Sequence, residues 1–250
     1  MLLDEVSDRP ASRHTSLGKE HRVHFITRTS ALFISLVAIV VLGSTTYGAA
    51  WAAEPVEGSG VAKTEPREVG EFDKVHLNGS PNVNIVIGKE RSVSVTSDDN
   101  LLAVIETSVE DGTLVIGGSK PFRTRLGVTV QITVPALTHV AVHGSGDVKV
   151  KALDAEKFKA EIQGSGDISV AGRAEELDVE IQGSGDVKLD ELAARRAAVE
   201  VQGSGDSTVK VSDELTVHVM GSGDVKYIGE PKVTKTGEEG EGAGEVKKVG

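Results

Sequence analysis

The sequence predicts an all-β fold: a parallel β-solenoid, β-helix or prism-like, with rungs of about 20 residues behind an N-terminal signal or anchor helix. Three observations carry this reading. Gly-Ser-Gly-Asp occurs five times, beginning at Gly144, Gly164, Gly183, Gly203 and Gly221, in steps of 20, 19, 20 and 18 residues. Self-similarity at a near-fixed period marks a repeat architecture, in which each unit buries its apolar face by stacking on the next. Apolar and polar residues alternate on both sides of every copy, which is the period of a half-buried strand. Aromatic residues make up only 3% of the chain, so the core is expected to be stacked from Val, Ile, Leu and Ala rather than built around rings.

Residues 1–30 read as a basic leader on the cytoplasmic side. Residues 31–53, ALFISLVAIVVLGSTTYGAAWAA, carry no charge, with Arg22 and Arg28 before them and Glu54 and Glu57 after. Two readings stay open. Ala50-Trp51-Ala52 fits the small-x-small rule for a signal peptide cleaved near Ala52. The same 23 residues are also long enough to cross a hydrocarbon layer of ~30 Å as a retained anchor. Positive charge stays in the cytoplasm, so both place the remainder outside it, in the periplasm or at the cell surface. Residues 54–68 mix Pro, Gly and charge without periodicity and read as a linker. Gly58-Ser59-Gly60 within them reads as a chance echo of the repeated turn.

The body spans residues 69–230. Val75, Leu77, Val83, Ile85 and Ile87 alternate with polar residues around Asn78-Gly79-Ser80, a degenerate first copy in which Pro81-Asn82 replaces Gly-Asp. Val93 and Val95 mark a further strand, and Leu101, Leu102 and Ile105 a short helix or irregular turn. Thr113–Ile116 after Asp111-Gly112 reads as turn then strand, and Val128–Val134 as another. Beyond that the pattern is regular: Val148, Ile168, Val187 and Val225 follow the Asp, with Ser207 in the fourth copy. Strands in successive rungs ~4.8 Å apart would stack like on like. An antiparallel sandwich of hairpins is the competing arrangement, and the constant period favours the solenoid. Residues 231–250 form a polar tail, expected to be partly disordered.

Composition excludes several classes of function. The net charge of −11 argues against nucleic acid, whose phosphates need cationic partners. The absence of cysteine removes disulfides and thiolate metal sites. The candidate binding residues are those of the repeated turn: Asp147, Asp167, Asp186, Asp206 and Asp224, with Ser145, Ser165, Ser184, Ser204 and Ser222. Their structural reading is that Gly permits close approach while Ser and Asp bond backbone freed at the corner. Their functional reading starts from five stacked carboxylates, which repel unless solvated, hydrogen-bonded or shared with a cation. Ca²⁺ takes oxygen ligands of this kind, and is the one cofactor the ladder suggests. Lys149, Lys188 and Lys226, two places after an Asp, read as its neutralising neighbours. No catalytic set emerges, since Gly-Ser-Gly is not the nucleophile elbow Gly-x-Ser-x-Gly. His139, His143 and His218 fall at outward positions, expected to face solvent without forming a metal cluster.

Several segments together resemble a known family. Phe72…Val75, Val83-x-Ile85, Asp99-Asn100-Leu101-Leu102, Glu110–Gly117, Ile132-Thr133-Val134-Pro135-x-Leu137 and the serial Gly-Ser-Gly-Asp are similar to the auto-transporter adhesin head GIN domain, from about residue 68 to 230. The resemblance implies a parallel β-helical body in the bacterial envelope and, by its name, adhesion. It supplies no catalytic residues. The expected function is therefore a non-enzymatic, exported binding module whose partner is an envelope protein, a surface glycan or another copy of itself. A self-assembling periplasmic spacer and, more weakly, a polysaccharide-cleaving β-helix enzyme remain alternatives. Membrane contact is expected only through residues 31–53.

Overall fold

The structure, a computed structural model, describes residues 54–236 and 244–250. The proposed leader and signal or anchor segment lie outside the described residues. Within them every regular element is a β-strand. The order is β1 (Val56–Glu57), β2 (Ala62–Arg67), β3 (Lys74–Gly79), β4 (Asn82–Ile87), β5 (Ser92–Asp98), β6 (Ile105–Glu110), β7 (Thr113–Gly118), β8 (Phe122–Arg123) and β9 (Thr129–Val134). It continues with β10 (His139–Gly144), β11 (Val148–Gly164), β12 (Ile168–Gly183), β13 (Val187–Gly203), β14 (Ser207–Gly221), β15 (Val225–Ile228), β16 (Lys232–Thr236) and β17 (Val246–Lys248).

The regular part is a parallel stack, with β10 on β11, then β12, β13 and β14 in turn, so each rung pairs with the next through its whole circuit. Registration puts like on like. Leu77, Val142, Ile162, Ile181, Val201 and Val219 form one ladder, and Val75, Val140, Ala160, Val179, Val199 and Val217 a second. Nearly all of these are fully buried, as alternation over a one-sided core requires. A third ladder runs Val83, Val148, Ile168, Val187, Ser207 and Val225. Ser207 is fully buried there with no partner for its hydroxyl among the described residues.

The unequal steps between repeats have a single structural origin. Register shifts fall between Val150 and Leu153, between Ser169 and Gly172, and between Leu189 and Arg196, all at the corner after the first short segment of each rung. Insertions and deletions are taken up at this bulged corner, and the core ladders and the repeated turn stay in line.

The degenerate first copy is a true rung. β3 stacks on β10 with Gly79 opposite Gly144, and β4 stacks on β11 with Val83 opposite Val148. The chain then leaves the stack and closes its N-terminal end. β7 and β9 pair in parallel beneath β3 and β4, while β6 on β7, and β5 on β9 with β2 on β5, add antiparallel strands. Leu101–Val104 form a turn rather than a helix.

Two segments differ from the sequence reading. Residues 62–67, read as linker, are strand β2, held on β5 from Ala62↔Asp98 to Arg67↔Val93. Gly58-Ser59-Gly60 is docked as well. Asp98, fully buried, accepts hydrogen bonds from Gly60 N (2.6 Å), Thr124 Oγ1 (2.6 Å) and Arg125 N (3.1 Å), and the Ser59 hydroxyl donates to Asp99 Oδ1 at 2.5 Å. The Thr124 hydroxyl, helped by the Gly60 and Arg125 amides, outweighs burial and holds the Asp98 carboxyl down at about 2. Within the tail, β16 stacks on β14 and β17 on β15, so residues 232–236 and 246–248 extend the solenoid.

Candidate functional site

The repeated turn forms a column along one corner of the stack, and its chemistry follows from the spacing of the rungs. Gly183 stands for the first glycine of each copy. Its φ is +138°, and a Cβ there would lie 2.2 Å from the Gly164 carbonyl oxygen of the rung below. Gly185 stands for the third position, where a Cβ would meet Gly166 O at 2.0 Å. The first position needs both a conformation L side chains rarely adopt and the absence of a side chain; the third needs only the latter. The freed amides are then used across rungs, Ser184 N donating to Gly164 O at 2.9 Å and Ser204 N to Gly183 O at 2.8 Å.

The aspartates are tied into the same column. The backbone N–H of each donates to Oδ1 of the aspartate one rung earlier: Asp167 to Asp147 (3.1 Å), Asp186 to Asp167 (3.0 Å), Asp206 to Asp186 (3.0 Å) and Asp224 to Asp206 (2.9 Å). The ladder is capped above by Glu245 N on Asp224 and begins below at Asn82, which occupies the aspartate position of the first copy. Oδ2 is left outward. Lys188 binds that of Asp167 at 2.8 Å and Lys226 that of Asp206 at 2.9 Å, each lysine reaching back one rung. The Asp224 amide, with Lys226, outweighs burial and lowers the Asp206 carboxyl below the usual range. At Asp167 burial pushes upward, and Lys188 and the Asp186 amide override it. Each of the five carboxylates thus has an amide donor on Oδ1, and those of Asp167 and Asp206 an ammonium donor on Oδ2 as well. Ser145, Ser165, Ser184, Ser204 and Ser222 are all exposed, a line of hydroxyls one rung apart.

A second feature lies at the entry to the long strand segments. A groove of about 530 Å³ crosses four rungs, floored by Phe158, Leu177 and Ala197. One wall is an ion ladder in which Glu176 joins Lys157 and Arg196, each at 2.7 Å. The other carries Lys159 and Asp178, then the smaller Ala198 and Thr216. Burial, reinforced by Glu180, raises the Asp178 carboxyl.

The third feature was not legible as a cluster. On the outer face of β3, β10 and β11, Ala141 lies between His76 and Glu161 across the sheet and between His139 and His143 along its own strand. His76 Nε2 and His143 Nδ1 are 2.8 Å apart. His139 Nε2 lies 3.5 Å from Glu161 Oε2, and His143 Nε2 lies 3.7 Å from Glu161 Oε1. The two histidine side chains are only about one third exposed, at 30% and 33%, so they do not stand free in solvent as outward strand positions suggest. Burial lowers His139, and burial with His143 beside it lowers His76. His218 lies apart and bonds Thr236 O through Nδ1 at 2.8 Å. Sequence reasoning passed over His76 and Glu161. Aligning Val75-His76-Leu77 on Val140-Ala141-Val142 as one rung on the next would have brought them together.

The family described as "Putative auto-transporter adhesin, head GIN domain" matches residues 71–231. The crystal structure of a "putative adhesin" from Bacteroides fragilis aligns at a TM-score of 0.63 and 23% identity, covering 78% of this chain and 100% of that one. Two others, from Parabacteroides distasonis and Parabacteroides merdae and likewise described as putative adhesins, align at a TM-score of 0.52 each. Their identities are 23% and 18%, with 78% and 79% of this chain and all of theirs covered. At these identities the likeness is one of fold. No curated protein matches the chain.

Proposed function

The chain belongs to the head GIN domain family, and on that premise we propose that its solenoid is a non-enzymatic, adhesin-like binding module exported to the cell envelope. One observation supports this reading above the others: the groove over Phe158, Leu177 and Ala197 crosses four rungs and is walled by charges of both signs. A groove running along a stack of rungs suits an extended partner better than a compact one, because each rung repeats the same position. Its walls offer carboxylates and ammonium or guanidinium donors that match the hydroxyls and acids of an envelope polysaccharide. The aspartates of the repeated turn have Oδ1 engaged within the fold and Oδ2 outward, so the turn's contribution to binding is the row of serine hydroxyls with those outward oxygens.

The test is binding of the full chain to purified envelope polysaccharides, measured beside an Arg196→Glu variant. That change reverses one wall charge and leaves the floor intact. A saturable interaction weakened at least tenfold by Arg196→Glu supports the reading. Binding that is indifferent to it, or absent from every envelope fraction, refutes it.

End-to-end self-assembly ranks below this. The terminal strands carry the charges and proline that discourage strand addition: Lys63, Glu65, Pro66 and Arg67 on β2, Lys232 and Lys235 on β16, Lys247 and Lys248 on β17.

A further inference from the structure

We propose that the cavity beneath the first turn of the column binds an acidic sugar residue, a hexuronic acid of a glycan chain. The cavity encloses about 680 Å³ and shares no lining residue with the groove over Phe158. It exists because the stack loses its register at this corner. β3 runs on β7 from Lys74↔Thr113 to Leu77↔Ile116, and there the pairing stops. Continued, it would seat Gly79 on Gly118, as Gly144 is seated on Gly79 one rung further on. Instead β3 reaches β4 through Ser80-Pro81 alone, whereas β7 reaches β9 through residues 119–128. The space between the short connection and the long one is the cavity.

The parting leaves donors open. In the regular copies each serine N–H donates to the first glycine carbonyl of the rung before, Ser145 N to Gly79 O at 2.9 Å and Ser165 N to Gly144 O at 2.8 Å. Ser80 has no such rung beneath it, and its N–H has no acceptor among the described residues. Pro81, in place of the third glycine, has no N–H to offer. Asn82 turns Oδ1 to Asp147 N, which leaves its Nδ2 donors for the cavity. On the opposite wall Lys120 is exposed and forms no ion pair among the described residues. No carboxylate lines the cavity, in a chain of net charge −11. The complementary ligand is therefore an anion, held by the Ser80 amide and the Lys120 ammonium. The rest of the wall selects a sugar. Asn78, Asn82 and Ser119 both donate and accept, as sugar hydroxyls require. Phe122 is only partly buried and lies so close to Gly118 that a Cβ there would stand 2.8 Å from its ring. The glycine lets the ring form part of the wall, as an apolar surface for the C–H face of a pyranose. One ring, a few placed polar groups and this volume are the make-up of a small-ligand site.

The experiment is a titration of the full chain with glucuronate, glucose and inorganic phosphate in turn, read from the amide resonances of Ser80, Gly118 and Ser119. The expected result is saturable shifts with glucuronate, and binding of glucose and of phosphate each about tenfold weaker or more. Lys120→Ala should weaken glucuronate about tenfold, and Phe122→Leu, which keeps the packing but removes the ring, should weaken it by a similar factor. Lys89→Ala, at an exposed position in the β4–β5 connection, should change nothing. The same spectra report whether each variant is folded; should Phe122→Leu fail, the exposed Lys120→Ala decides. Absence of saturable shifts with glucuronate, or binding that Lys120→Ala leaves unchanged, overturns the proposal. Glucose binding as tightly as glucuronate overturns the choice of an acid, and phosphate binding as tightly overturns the choice of a sugar. Because the signal is read at Ser80, the result is independent of whether the groove over Phe158 binds polysaccharide.

Discussion

Replacing Gly185 by alanine should unfold the solenoid locally, although it adds a single methyl group to a turn. The new Cβ would stand 2.0 Å from Gly166 O and 3.1 Å from Ile162 Cγ2. The closest approach such a carbon tolerates is 3.0 Å, so the two rungs must part by at least 3.0 − 2.0 = 1.0 Å. Opening of that size stretches the neighbouring inter-rung bonds, Ser184 N to Gly164 O at 2.9 Å and Asp186 N to Asp167 Oδ1 at 3.0 Å, beyond hydrogen-bond range. Losing two bonds at about 1 kcal/mol each, with about 1–3 kcal/mol for overpacking, gives a loss of about 3–5 kcal/mol. Urea unfolding of the full chain measures it, with Ser184→Ala at the exposed position next door as the comparison. Ser184→Ala should stay within about 0.5 kcal/mol of the parent. If Gly185→Ala also stays within about 1 kcal/mol, the account of the turn as a close-contact column is wrong.

Ser207→Val should stabilise the protein by about 1–2 kcal/mol in the same assay, since it replaces a buried, unpartnered hydroxyl within a valine ladder. A destabilised Ser207→Val would show that the ladder has no room for a second methyl there. Asp206→Ala removes the acceptor of Asp224 N–H and the partner of Lys226, costing about 1 kcal/mol at this half-exposed site, whereas Asp206→Asn, which keeps the amide acceptor, should cost less. Acid should weaken the fold with a defined sign. Asp98, Asp167 and Asp206 have folded-state pKa values below the ordinary value of about 3.9, so their contribution is complete above that pH and is lost as pH falls through the folded values, reaching about 2 for Asp98. The urea midpoint should decline modestly as pH falls through the ordinary histidine value of 6.5, because His76 and His139 are lowered in the fold, and fall further below about pH 4 as the carboxylates protonate; Asp98→Asn should flatten the lowest part of that decline. Because amide donors already occupy one oxygen of every aspartate in the ladder and lysines the other at Asp167 and Asp206, unfolding midpoints in Ca²⁺ and in chelator should coincide; a rise in Ca²⁺ that Asp186→Asn abolishes would restore the cation ladder.

Legibility in the sequence followed the length scale of each interaction. The turn column and the valine and isoleucine ladders repeat a single local pattern, so period and alternation placed them, including the degenerate first copy at Asn78-Gly79-Ser80. The N-terminal closure does not repeat. Strand β2, with the sequence AKTEPR, has no apolar alternation and contains proline; its conformation comes from pairing with β5 some thirty residues away. The same remoteness hid the role of Gly58-Ser59-Gly60, whose partner Asp98 reads in isolation as part of a polar turn. Strands β16 and β17 are lysine-rich, and only the exposed edge of the last full rung makes them strands. At the histidine cluster each residue was visible, but the alternation that sends His139 and His143 outward says nothing of how far they lean along the face. Glu161 and His76 belong to neighbouring rungs, and the small Ala141 between them supplies the space.

The central claim, an exported binding module displayed by the envelope, is tested most directly by protease treatment of intact cells, compared with cells whose outer envelope has been opened. The account predicts that the protein is lost from intact cells, because an adhesin-like surface must be reachable from outside. Survival of the protein until the envelope is opened would contradict it.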